Sequence, residues 1–79
     1  MIYMNEDTII QVSSITKDTK TNEIIFTGDT LVKYQVESLE QLEKIFDLLV
    51  RFVSGESRNG ISIVINKKDL DLARGILEW

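Results

Sequence analysis

Glu40, Glu43 and Asp47 stand three and four residues apart, the spacing that lines side chains along one face of a helix. Carboxylates grouped this way can serve as an acid–base pair when burial or mutual repulsion separates their pKa values. They can also hold Mg²⁺ together with substrate phosphates. Lys44 and Arg51 fall among them, which makes the stretch read as a solvated, ion-paired face. No dedicated calcium-loop spacing is present, so neither a metal nor a cofactor is expected.

The chain has no His and no Cys among its 79 residues. That removes Ser-His-Asp and Cys-His catalysis, imidazole and thiolate metal sites, iron–sulfur clusters and disulfides. An enzyme would have to work with carboxylates, Lys and Tyr alone, and a non-catalytic role is the expectation.

The remaining candidates for chemistry are cationic. Arg58, Lys67 and Lys68, with Tyr34, could contact a small anionic ligand such as a nucleotide, in a pocket between two copies of the chain. Arg58 precedes the strand expected at 61–65, whereas Lys67 and Lys68 follow it. Such a strand is about 20 Å long, which keeps these groups apart. Gly55 to Gly60 leads from a helix into a strand, the wrong direction for a phosphate-cradling loop. No aromatic residues interleave with the cations as base-stacking platforms would require. The formal net charge is −4, from nine Lys and Arg against thirteen Asp and Glu. Nucleic acid is therefore an unfavoured partner.

The elements that must position these residues follow from periodicity. Ile, Leu, Val and Phe make up 28 of the 79 residues, enough to build a core. Thr8 to Lys17 is rich in β-branched residues and reads as a strand; the Ile9-Ile10 pair blurs its alternation and suggests a bulge. Glu23 to Thr27 is a second strand. Gly28-Asp29 supplies a tight hairpin turn with glycine at the positive-φ position, and Thr30 to Val36 is a third strand. Tyr3 would cap or extend this meander. Ser38 with Gln41 forms a capping-box pattern, which starts the main helix at 39–54, with Gly55 closing it. Ile61 to Ile65 alternates as a strand and is placed centrally in the sheet. Asn66 to Asp69 is a turn or helix cap, and Leu70 to Trp79 has helical spacing. The expected fold is α+β in β-β-β-α-β-α order. It is one domain over 1–79, an antiparallel sheet of about four strands with the main helix and a short C-terminal helix on one face.

The main helix is more apolar than one sheet requires. Leu39, Leu42, Ile45, Phe46, Leu48, Leu49, Val50, Phe52 and Val53 spread over about 200° of its circumference, whereas packing on a sheet needs little more than about 100°. Its partner on the surplus arc could be the C-terminal helix, a second copy or another protein. Trp79 is a candidate anchor, because Trp is a frequent interface hot spot.

No run approaches the roughly 18 apolar residues of a membrane span. The N-terminal stretch lacks a basic-then-apolar signal, so a cytoplasmic setting without membrane contact is expected. The richness in Ile, Lys, Asn, Asp and Glu suits a low-GC bacterium or its phage. The expected function is a small acidic protein–protein interaction module. It would occlude a surface of a larger intracellular protein, as phage inhibitors and bacterial adaptors do, through Glu40, Glu43, Asp47 and Trp79.

Overall fold

The computed structural model describes the backbone over residues 1–58 and 63–77, and side chains over residues 1–55 and 63–75. Strands β1 (Ile2–Met4), β2 (Ile9–Asp18), β3 (Glu23–Gly28) and β4 (Leu31–Gln35) precede helix α1 (Leu39–Arg58). Strand β5 (Val64–Asn66) and helix α2 (Lys67–Leu77) follow. The fold is α+β, with one strand more than the sequence pattern indicated. The sheet order is β4-β3-β2-β1-β5. Four strands form an antiparallel meander, while β5 pairs parallel to β1.

Strand β2 serves two neighbours in succession. Ile9, Ile10 and Gln11 pair with β1, while Val12 to Asp18 pair with β3. A register shift between Val12 and Ser14 separates the two ladders. An extra residue reverses which parity faces inward. Ile10 and Val12 are buried before it; Ile15 packs on the core after it. This bulge is the source of the blurred alternation, and Ile9 points to solvent.

Gly28 is required at this crossing for a reason other than turn geometry. A Cβ on Gly28 would stand 1.7 Å from the Gln11 carbonyl oxygen. Its φ lies outside the left-handed region. The expected positive-φ glycine is thus a close-approach glycine. Among the described residues, the one non-glycine with positive φ is Asn22, in the β2–β3 turn, and Asn tolerates that region better than most residues.

Tyr3, Ile10, Val12, Ile24, Phe26, Tyr34 and Ile65 present one buried face of the sheet. Tyr3 and Phe26 stack with ring centroids 4.5 Å apart. Leu42, Ile45 and Leu49 of α1 and Leu70 of α2 cover that face. Ser38 Oγ accepts from the Gln41 amide at 3.1 Å, and Gln41 Oε1 accepts from the Glu37 amide at 2.9 Å. The capping box therefore forms, with the return bond one residue farther upstream than usual.

Two helix limits and the place of one strand differ most from the expected ones. Helix α1 continues through Gly55 to Arg58, because Gly55 keeps to the helical ladder and a mid-helix glycine costs only about 1 kcal/mol. Helix α2 begins at Lys67, capped by Asn66 Oδ1 accepting from the Lys68 amide at 2.9 Å. Strand β5 lies at the sheet edge rather than its centre, because β1 takes the position between β5 and β2. Ile61 and Ser62, the first half of that expected strand, lie outside the described residues.

Candidate functional site

The three acidic residues of α1 are each held by a cation. Glu40 pairs with Lys44 at 3.1 Å and Asp47 with Arg51 at 3.0 Å, both one turn apart. Glu43 pairs with Lys17 of β2, and the same ammonium lies 5.2 Å from the Phe46 ring centroid. Exposed pairs of this kind contribute about 0–1 kcal/mol and exchange readily with other partners. The face is therefore acidic yet already neutralised. Trp79 lies outside the described residues.

Tyr34, Lys67 and Lys68 come together only in part. Lys67 and Lys68 line a cleft of about 420 Å³ with Asn5, Glu6, Asp7 and Asp71. Asn5 is fixed there, because its Oδ1 accepts from the Asp7 and Thr8 amides. Tyr34 is buried, and its hydroxyl donates to Asp71 Oδ1 at 2.6 Å. Asp71 Oδ2 accepts from Lys67 Nζ at 3.1 Å. The Arg74 guanidinium lies 5.9 Å from the Tyr34 ring centroid and donates to the Gln35 carbonyl at 3.3 Å. Arg58 ends α1 by its backbone; its side chain is outside the described set.

Burial, followed by the hydrogen bond to the Asp71 carboxylate, pushes the Tyr34 hydroxyl far above its ordinary pKa. The same hydrogen bond, with help from Lys67, holds Asp71 below the usual carboxylate value. Tyr34 stays protonated and Asp71 ionised around neutral pH, so the pair exchanges no proton there. Its role is to clip α2 to β4. Three carboxylates in the cleft offset its two ammonium groups, which weakens the case for an anionic ligand. Among the described residues no cluster of acidic side chains is arranged to hold a metal.

Asp71 is the residue that sequence reading passed over. Its one local signal is the four-residue spacing from Lys67; its contact with Tyr34 is non-local.

The apolar surface of α1 divides in two. The centre of its arc is buried, yet Leu39, Leu48, Val50 and Phe52 remain 42 to 50% exposed. At about 100° per residue, Leu48 and Phe52 lie on one flank of the buried stripe and Leu39 and Val50 on the other. The first flank borders a groove of about 170 Å³ shared with β5 and α2, lined by Val64, Ile65 and Leu70. The second borders a cleft of about 310 Å³ against β2, lined by Met1, Ser14, Ile15, Phe46 and Val53. Strand β2 has no strand partner on its β1 side beyond Val12 among the described residues. Helix α2 thus leaves Leu48 and Phe52 half-exposed, and no described helix is long and apolar enough to cross a membrane.

The chain matches no protein-family model, no curated protein and no solved structure.

Proposed function

We propose that this chain is a non-catalytic interaction module that occludes a surface of a larger intracellular protein, in the manner of a phage-encoded inhibitor or a bacterial adaptor. The observation that carries this reading is the cleft between β2 and α1. It is apolar at its floor, with Ile15, Phe46 and Val53, and Val50 stands half-exposed at its rim.

Around the helix, Glu43, Asp47 and Glu40 follow directly after Leu39 and Val50, within about 100°. Apolar cleft and acidic band form one continuous surface. A partner that suits it carries a protruding apolar side chain with Lys or Arg beside it. The apolar contact supplies affinity, and the charges set orientation and association rate. Because the three carboxylates hold exposed cations of their own chain, a partner's cations can replace these at small cost.

The test is a comparative capture from lysates of low-GC bacteria. Wild-type bait should retain one protein in stoichiometric amount. Val50→Lys should lose it, and joint charge reversal of Glu40, Glu43 and Asp47 should weaken it about tenfold or more. Retention of the same protein by all three baits would exclude this surface. Circular dichroism on each variant separates loss of contact from loss of fold.

A further inference from the structure

The opposite flank of α1 carries a separate inference. We infer that a second copy of this chain docks on β5, joining two five-stranded sheets edge to edge across a two-fold axis.

Strand β5 is the sheet edge, and no described strand lies beyond it. The Ile63 carbonyl accepts from the Ile2 amide at 2.8 Å, so Ile63 turns its hydrogen-bonding groups toward β1. Strand alternation then directs those of Ile65 the same way and turns the N–H and C=O of Val64 to the open edge. In an antiparallel pair, two residues directly opposite each other can exchange both N–H···O bonds. Two copies related by a two-fold axis at Val64 do so, residue for residue, as an isologous interface demands. Asn66 passes directly into α2, so among the described residues Val64 is the one centred for this exchange.

The side chains around the edge suit burial. Val64, which lines the groove, is 42% exposed. Leu48 and Phe52 form the α1 wall, and among the described residues Asp69 is the one ionisable side chain that lines the groove. Leu48, Phe52 and Val64 line the groove and are each 42 to 44% exposed, so a second copy seated on this edge would cover apolar side chains at the centre of the contact, as stable interfaces do. The net charge of −4 on each copy does not oppose the contact locally, because the acidic band lies away from the β5 flank. A domain of this size also gains from association, since its own core is small.

Strand β4 is the other sheet edge and makes the internal control. Its exposed positions are Leu31, Lys33 and Gln35, and an edge charge such as Lys33 discourages pairing.

Sedimentation equilibrium from micromolar to submillimolar concentration should give twice the 9.1 kDa chain mass. Phe52→Glu should weaken association at least about tenfold while the circular dichroism stays unchanged. The chain has no cysteine, so a single introduced thiol reports cleanly. In an antiparallel hydrogen-bonded pair the Cα atoms are about 5.5 Å apart, within disulfide reach. Val64→Cys should oxidise to a covalent dimer, and Leu31→Cys on β4 should not. A mass of one chain throughout, or a Leu31→Cys link in place of the Val64→Cys link, would overturn the inference. Neither result bears on the partner surface, which Val50 reports from the opposite flank.

Discussion

The Tyr34 hydroxyl and the Asp71 carboxylate meet at 2.6 Å across 37 residues of sequence. Tyr34 sits on an edge strand and Asp71 in the second turn of α2. With Leu70 buried beside it, this bond fixes how α2 lies on the sheet.

Removing that bond should loosen α2 without dismantling the sheet. Tyr34→Phe keeps the ring and removes the hydroxyl. Asp71 remains partly solvated and keeps Lys67, so the cost is that of one hydrogen bond to a charged group, about 1.5–3 kcal/mol. Urea unfolding should show a lower midpoint with an unchanged slope. Amide exchange should speed up in α2 more than in β2 and β3.

The same pair predicts a stability profile with two limbs. The Asp71 carboxyl is held below its ordinary value of 3.8, so the folded state binds the proton less readily than the unfolded state. Its contribution is full above that value and is lost as pH falls through the lower, folded pKa. Tyr34 is pushed up from its ordinary value of 10.0. Its contribution is full below about pH 10 and is lost as pH rises above it, because the unfolded chain ionises first. Asp71→Asn should flatten the acid limb and Tyr34→Phe the alkaline limb, read from thermal midpoints across pH.

Glycine substitutions should divide by site. Gly28→Ala forces a methyl group onto the Gln11 carbonyl. Backbone on both strands would have to move, at a cost of about 3 kcal/mol or more. Gly55→Ala and Gly75→Ala meet open space within helices and should each stabilise by about 0.5–1 kcal/mol. Equal effects at the three sites would contradict the crossing geometry.

Cap removal should act on α1 alone. Ser38→Ala deletes the acceptor for the Gln41 amide and should cost about 1 kcal/mol. Ser38→Asp should retain most of the stability, because a carboxylate accepts the same bond and favours the helix dipole. Chemical denaturation of the three proteins side by side decides this.

Much of the architecture is legible in the sequence because it is local. The start of α1 at Leu39 depends on Ser38 and Gln41 alone, and the β3–β4 hairpin depends on alternation around Gly28. Both are decided by contacts a few residues apart. Strand β1 left a weaker mark, since three residues are too short to establish an alternating pattern. The end of α1 was misplaced because Gly55 has two uses, as a cap or as an ordinary helical residue, and only the surrounding chain selects between them.

The candidate surfaces show the same division. The sequence by itself determined that α1 carries more apolar arc than one sheet covers, and that the chain has neither the imidazole nor the thiol side chain. It could not determine which part of the arc is covered, because that depends on where α2 crosses the sheet. The tertiary structure decided three things: β5 at an edge beside β1, Tyr34 bonded to Asp71, and two separate flanks of α1 left open. The first two are pairings between segments far apart in the chain, and the third follows from where those pairings place α2 and the sheet. Helix periodicity and capping are fixed by neighbours within a turn, whereas strand order and helix placement follow from burying the whole apolar set at once.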